Sequence, residues 1–426
     1  MSATETLGDD PEVVLADERY RVISNILATT LERKGRKWTL TDMLDQVFLH
    51  KILGIPVFLA VVWAMFRFTF DVSAPFMAIM EAFFGWLGEF AMYIPQEQIA
   101  SFIGDGVLGG LGFIMVFIPP IFFMFLVISI LEDSGYLARA AFVMDRLMYK
   151  LGLHGKSFIP MLLGLGCNIP AIMATRSIQG RKDRLITILV NPLISCSARL
   201  PVYVLVAGAF FDAYAGSAIF SMYILGIALA ILMALLFRKT ILKGEASPFI
   251  MELPLYKMPT LHGSLIHMWE RGVVFLKKAG TYLLAGAIIM WFLSTYPWGA
   301  PVEASYAGQI GQLLEPLVRP LGFDWRVATS LLFGFLAKEI VVGSLGILYA
   351  VEGETAIGSA LAASLTPASA YALMAFTLIY VPCLATIGVI KKETGSWRWV
   401  GLTVLYEMVL AYTVALLIVR IGGILG

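Results

Sequence analysis

The sequence predicts an all-α polytopic membrane protein: a helical bundle with an inverted repeat and two re-entrant hairpins made of broken helices. Three observations lead there. Hydrophobic residues make up 59% of the 426 and charged residues 14%, whereas a soluble domain carries about 25% charged residues. Lys and Arg fall into clusters separated by long runs that contain neither: Arg67 to Arg139, Arg199 to Arg238, Lys278 to Arg319 and Lys338 to Lys391. Finally, the apolar stretches Gly164–Arg176 and Asn191–Pro201 contain glycines, prolines, an amide and thiols that a plain spanning helix does not need. Gly and Pro interrupt helices, and freed carbonyls at membrane depth are tolerated only where protein or a water-filled cavity satisfies them.

Composition also excludes. A net charge of +1 suggests no nucleic-acid partner. Three cysteines without paired spacing argue against disulfides and a four-thiolate zinc site. No Gly-x-x-x-x-Gly-Lys-Ser/Thr loop, His-Glu-x-x-His or Gly-x-Ser-x-Gly motif occurs, so a transporter is expected and not a nucleotide hydrolase or another enzyme.

In chain order, residues 1–18 are acidic and expected to be disordered. Apolar residues recur at helical spacing from Arg19 to Leu31, and Thr39 or Thr41 caps a second helix running to Lys51. Residues 1–50 thus read as a cytoplasmic lead-in, without a signal peptide, and 51–426 as the transport domain. Ile52–Phe70 is long enough to cross, since about twenty apolar residues suffice. Residues 76–94, with Glu81 and Glu89 among phenylalanines, read as an amphipathic helix in the interface. Further spans are expected at 109–131, 185–211, 217–237, 279–296, 371–390 and 400–420. The positive-inside rule puts the basic clusters and the N-terminus in the cytoplasm. A crossing at 327–350 would put Lys391-Lys392 outside, so that stretch is expected to be a hairpin entered from outside, its tip near Lys338-Glu339. Residues 157–175, flanked by basic residues, form the matching hairpin from inside. Span, hairpin and span then repeat in opposite orientation, as gate regions at about 109–211 and 279–420. Gly164 answers to Gly334, and Cys196 and Cys383 each lie twelve residues after Arg184 and Tyr371, both in Cys-x-Ala. Inverted repeats with broken helices are a transporter plan, with substrate held near the midplane.

The candidate metal ligands are Cys167 and Asn168 in the first break, Cys196 after the kink at Asn191-Pro192, and Cys383 after Pro382. Thiolates and an amide oxygen suit a transition metal better than a hard cation; the alternative is that each cysteine packs as a small hydrophobe. Ser195 and Ser197 flank Cys196 along the pathway. Glu132 and Asp133 close the second span, where acids attract cations to a mouth or merely end a solvated helix. Lys338 and Glu339 are charged within an apolar stretch, which is expensive in lipid. As adjacent residues they need different partners, and Arg199 is the candidate for Glu339. The four histidines, His50, His154, His262 and His267, read as surface residues.

Leu131-Glu-Asp-Ser-Gly-Tyr-Leu-Ala-Arg139, Gly164-Leu-Gly-Cys-Asn-Ile-Pro-Ala-Ile-Met-Ala-Thr-Arg176, Arg184-Leu-Ile-Thr187 and Ser195-Cys-Ser-Ala-Arg-Leu-Pro-Val-Tyr203, with Ala337-Lys-Glu339 and Tyr380-Val-Pro-Cys383, resemble the membrane half of the ferrous iron transport protein B family over about residues 19–420. The resemblance implies Fe(II) uptake across the cytoplasmic membrane of a prokaryote, with Cys167, Cys196 and Cys383 lining the path and Fe(II) as cargo, not a resident cofactor. The family carries an N-terminal GTP-binding domain, which this sequence does not contain. Either the GTPase is a separate polypeptide, or this stretch omits it, or the chain works without it. GTP would then act only through a separate partner. Other expected partners are membrane lipid, a small cytoplasmic accessory protein and further copies of the chain. Two other functions fit the same residues: a permease for a nucleoside-like organic solute, and a non-transporting membrane anchor for a separate GTPase.

Overall fold

The computed structural model describes residues 11–30, 40–50, 53–150, 153, 155–243, 256–349, 351 and 354–425. The expectations for residues 1–10, Thr39 and His154 lie outside that set. Every regular element among the described residues is a helix.

The chain divides between Val47 and Phe48. The first unit holds α1 (Pro11–Thr30) and nearly all of α2 (Leu40–Phe48). α1 begins at Pro11, so residues 11–18 are helical where disorder was expected. Proline is preorganised for a first helical position, and Glu18 pairs with Arg21 one turn on, at 2.5 Å.

The second unit starts with α3 (Gly54–Ala91), a single helix of 38 residues. This corrects the division into a span ending at Phe70 and a separate interfacial helix at 76–94. Pro75 lies inside the helix without ending it. Arg67 and Asp71 pair at i,i+4 at 2.5 Å just before it, and the Ser73 hydroxyl donates to the Phe70 carbonyl at 3.1 Å. At about 1.5 Å per residue α3 is about 57 Å long, well beyond the about 30 Å hydrocarbon core. Next come α4 (Glu97–Ser101), a π-helical turn over Phe102–Leu108, and α5 (Gly109–Asp133). Gly106 in that turn lies against the Trp291 ring, where an added Cβ would come within 3.1 Å.

The remaining helices are α6 (Tyr136–Lys150), α7 (Phe158–Gly164), α8 (Asn168–Ala174), α9 (Arg181–Val190), α10 (Leu200–Phe210), α11 (Ala215–Lys239), α12 (Leu261–Phe275), α13 (Thr281–Thr295), α14 (Tyr306–Val318), α15 (Trp325–Phe333), α16 (Ile340–Tyr349), α17 (Glu354–Ser364), α18 (Pro367–Ile379), α19 (Leu384–Thr394) and α20 (Trp397–Leu425). Six helical stretches among the described residues are long and apolar enough to cross a membrane: Pro56–Ala91, Glu97–Asp133, Arg181–Phe210, Ala215–Lys239, Pro367–Thr394 and Trp397–Ile424. The span expected at 279–296 is α13, whose apolar part, Leu284–Thr295, is short of the about twenty residues a crossing takes.

The main core gathers Ile186, Leu189, Val206, Met222, Leu345, Leu373, Leu378 and Ala411 from α9, α10, α11, α16, α18 and α20. Outside it, Leu59, Trp63, Ile79 and Phe83 on α3 and Leu405, Val409, Leu417 and Ile421 on α20 are exposed. Apolar faces of that extent need a non-aqueous neighbour. The chain is an all-α polytopic membrane protein.

Candidate functional site

The helical path is interrupted at four places, each of which carries a glycine, a proline or a cysteine. Between α7 and α8 the chain makes a tight turn: Leu165 N–H donates to Leu162 O at 3.1 Å, and Gly166 and Cys167 N–H both donate to Leu163 O at 3.0 Å. Cys167 is then extended, with φ −154° and ψ 132°, as the residue preceding α8. Gly164 is required by a close approach, since an added Cβ would lie 3.1 Å from Asn191 Oδ1 and 3.3 Å from Ile194 Cβ. Between α9 and α10, Pro192 has no N–H to continue the ladder; one 3-10 turn over Asn191–Leu193 follows, Cys196 is extended, and a second turn leads into α10. α18 ends at Ile379, before Tyr380-Val381-Pro382, because the residue preceding a proline is pushed out of the helical region. The fourth break, residues 334–339, separates α15 from α16.

The breaks dock in pairs. Ser197 donates to Gly166 O through both its N–H at 3.2 Å and its hydroxyl at 2.9 Å. Leu384 N–H donates to Phe335 O at 3.1 Å. In each case the residue after a cysteine holds a carbonyl of another break.

Two buried cations close the helix ends that these breaks expose. Arg199, 1% exposed, donates to Ile194 O and Pro192 O, both at 2.9 Å. Lys338, 2% exposed, donates to Val381 O at 2.7 Å and Tyr380 O at 3.2 Å. Its ammonium also sits 3.0 Å from the Tyr380 ring centroid. A cation at a helix C-terminus satisfies orphan carbonyls and meets the negative end of the dipole. Arg199 therefore does not pair with Glu339, as had been expected: the freed carbonyls of its own segment are nearer and match the guanidinium fork. No ion pair among the described residues includes Glu339.

Cys167 lies within electrostatic range of Cys196, Cys383 and Glu339, and Cys383 within range of Cys196 and Glu339. The three thiols belong to three separate breaks, and Glu339 lies in the fourth. Cys383 Sγ is 3.1 Å from Thr386 Oγ1. Asn168, 5% exposed, accepts from Asn191 Nδ2 at 3.3 Å. Ser195 Oγ meets the Tyr203 hydroxyl at 3.1 Å. Among the described residues, no three His, Cys, Asp or Glu side chains form a group already able to hold a metal ion. Any ion here would need amide and backbone oxygens besides the thiols.

Glu132 and Asp133 are differently placed. Glu132 pairs with Arg271 of α12 at 3.0 Å, and Asp133 accepts from Ser264 at 3.4 Å and Ser129 at 3.5 Å. None of these partners belongs to the four breaks.

Sequence reasoning missed two residues. Asn191 was read only as part of a kink, yet its buried Oδ1 has no hydrogen-bond partner. Glu407, fully buried on α20, is within electrostatic range of Arg199 and Lys338. The rule that singled out Lys338, a charge inside an apolar stretch, applies equally to Glu407.

Comparison with known proteins supplies the family. The Gate model, described as nucleoside recognition, matches residues 114–210 and 276–397, and a model described as ferrous iron transport protein B C terminus matches 219–271. The Fe(2+) transporter FeoB of Methanocaldococcus jannaschii is 49% identical, covering 98% of this chain and 64% of the relative. A Porphyromonas gingivalis protein named as a fusion of Fe(2+) transport protein A and Fe(2+) transporter FeoB is 42% identical over 98% of the chain and 56% of its own length. The FeoB of Campylobacter jejuni is 38% identical, covering 95% of this chain and 69% of the relative. The chain thus spans between about half and two thirds of the length of these relatives. No solved structure matches it. On this evidence the chain belongs to the Fe(2+) transporter FeoB family.

Proposed function

We propose that the chain is a divalent metal permease that takes up Fe(II) across the cytoplasmic membrane. The ion is held by Cys167, Asn168, Cys196 and Cys383 as it passes the breaks, with Glu339 beside the thiols and Glu132 and Asp133 nearer a mouth. The observation that carries this is that the three cysteines each sit in a helix break, two of them in breaks joined by hydrogen bonds from Ser197 to Gly166 O. Soft sulfur with amide and carbonyl oxygens is a donor set for a first-row transition metal, and binding must displace thiol protons. Ser195 and Ser197 hold the Cys196 turn in shape, while Arg199 holds the carbonyls of Pro192 and Ile194 and Lys338 those at the end of α18.

The two hairpins enter from opposite faces and meet near the midplane, with the N-terminus in the cytoplasm. GTP acts through a GTPase domain or partner outside this stretch. A small accessory protein is a second partner, in keeping with the fused relative from P. gingivalis. A nucleoside-like solute remains the competing cargo, on the description of the Gate model alone.

The test is uptake into liposomes under reducing conditions, comparing the parent with Cys167→Ser, Cys196→Ser, Cys383→Ser and Asn168→Ala. Each is expected to lower Fe(II) uptake by roughly tenfold or more, the scale of losing a group that holds or orients a metal. Unchanged uptake in all four would remove the site. Uptake of a labelled nucleoside and not of Fe(II) would favour the competing cargo.

A further inference from the structure

We propose that Glu393, clasped by Arg176 and Arg184, latches a gate between the break cysteines and one face of the protein, and that its freed carboxylate receives the ion as it leaves. This rests on the metal-permease reading and adds to it the groups that open and close the way out.

α8 starts directly after Cys167, and α19 directly after Cys383. The two helices lie side by side. Ile172 of α8, Ile188 of α9 and Ile390 of α19 form one cluster in which all three are fully buried, with Val400 of α20 beside them. Branched aliphatic side chains packed in this way block a cation, because they offer nothing in place of its water. One turn further from the cysteines, the ends of α8 and α19 are joined by charge. Arg176, in the turn after α8, grips both carboxylate oxygens of Glu393, with Nε at 2.9 and 3.1 Å and Nη2 at 2.5 Å. Arg184 of α9 donates to Glu393 Oε2 at 2.7 Å. A carboxylate that follows one break is thus held by two cations that follow another.

The exposure of the three groups suits a latch. Only 3% of the Glu393 side chain is exposed, against 51% for Arg176 and 30% for Arg184. The arginines regain water as they let go, so the pair opens at small cost, which a fully buried pair does not. A cavity of about 280 Å3 lies against it, lined by Gln179, Arg181, Arg184, Ile188, Glu393 and Thr394. Closed, the cluster sets two guanidinium groups against one carboxylate, with Arg181 on the same cavity, and repels a divalent cation. Opened, it leaves Glu393 as an acceptor-only carboxylate beside a space wide enough for a hydrated ion. The movement that parts Arg176 from Glu393 also draws the end of α8 away from α19, and so parts Ile172 from Ile390.

The experiment compares the parent with E393Q, E393D, R176Q and R176Q/R184Q, as full chains in nanodiscs, where both faces are reached. The readout is the rate at which a membrane-impermeant maleimide labels Cys167, Cys196 and Cys383, located by mass spectrometry. D324A is the control, destabilised at the cap of α15, away from the latch. E393Q and R176Q/R184Q are expected to label about tenfold faster than the parent, the scale of losing charge-assisted hydrogen bonds to partly exposed arginines. E393D is intermediate, and D324A labels like the parent. Fe(II) flux through liposomes rises more in R176Q/R184Q, which keeps the carboxylate, than in E393Q, which does not. A structural role alone lowers the melting temperature without speeding the labelling. Labelling of E393Q and R176Q/R184Q no faster than that of D324A overturns the proposal, as does a larger flux in E393Q than in R176Q/R184Q.

Labelling needs no cargo, so it separates this proposal from the transport reading. A parent that passes no Fe(II), with thiols uncovered in E393Q, keeps the gate and removes the permease. Should E393Q fail to fold, R176Q decides, since Arg176 is half exposed: labelling no faster than the parent's overturns the proposal.

Discussion

Substituting alanine for Gly334 tests whether the break between α15 and α16 is held by close contact. A Cβ built there would lie 2.3 Å from the Tyr380 hydroxyl and 2.3 Å from Val341 Cγ2, against an ordinary contact beginning at 3.4 Å. Both neighbours would have to retreat by about 1 Å, and neither has an easy route. Val341 is 1% exposed and β-branched, with restricted χ1. Tyr380 is stacked on Phe376 at 5.4 Å between centroids and carries the Lys338 ammonium on its face. Overpacking of a well-filled interior costs about 1–3 kcal/mol, and Gly334→Ala is placed near the upper end because two neighbours are displaced at once. A shifted Tyr380 also moves a carbonyl that Lys338 caps, so Fe(II) uptake falls together with stability. Gly343→Ala is the control. It lies in α16 with nothing within 4 Å of an added Cβ, and replacing glycine by alanine within a helix gains about 0.5–1 kcal/mol. The assay is apparent melting temperature in detergent, with uptake measured on the same preparations. A Gly334→Ala protein that melts and transports like the Gly343→Ala protein would refute the packing argument.

Glu393 is gripped by Arg176 at 2.5 Å and Arg184 at 2.7 Å, with 3% of its side chain exposed. Glu393→Ala should lower stability by about 1–2 kcal/mol, a figure reduced for the half-exposed Arg176, as read from the melting temperature at low and high salt. Asp324 caps α15 by accepting from Val327 N–H at 2.9 Å and also receives the Tyr349 hydroxyl at 3.1 Å. Asp324→Ala should cost about 1 kcal/mol and Asp324→Asn much less, by the same measurement. Ser197→Ala removes one of two donors to the Gly166 carbonyl, for about 1 kcal/mol. Because this loosens the contact between the first two breaks, uptake should fall further than the stability loss alone would explain.

The sequence by itself determined where the helices stop. Pro192 and Pro382 break the helices for reasons internal to a few residues, a missing N–H or a backbone clash, whereas Gly164 and Gly334 leave no room for a Cβ because distant segments, Asn191 and Tyr380, press against them. The resemblance to the iron transporters was legible in the same stretches, since the motif residues are the break residues. The long apolar runs likewise announced the bilayer. Local pattern misled between Phe70 and Phe76, where two helices were expected and one helix runs straight through Pro75. Only the tertiary structure decided which break meets which, and which charge answers which. Arg199 and Lys338 turned to backbone carbonyls because helix ends exposed by distant folding are there to be capped. Glu407 is buried because α20 packs back against α18. Sequence spacing describes neighbours along one helix, whereas an electrostatic pocket is assembled from segments far apart in the chain, and its charge balance exists only once they have met.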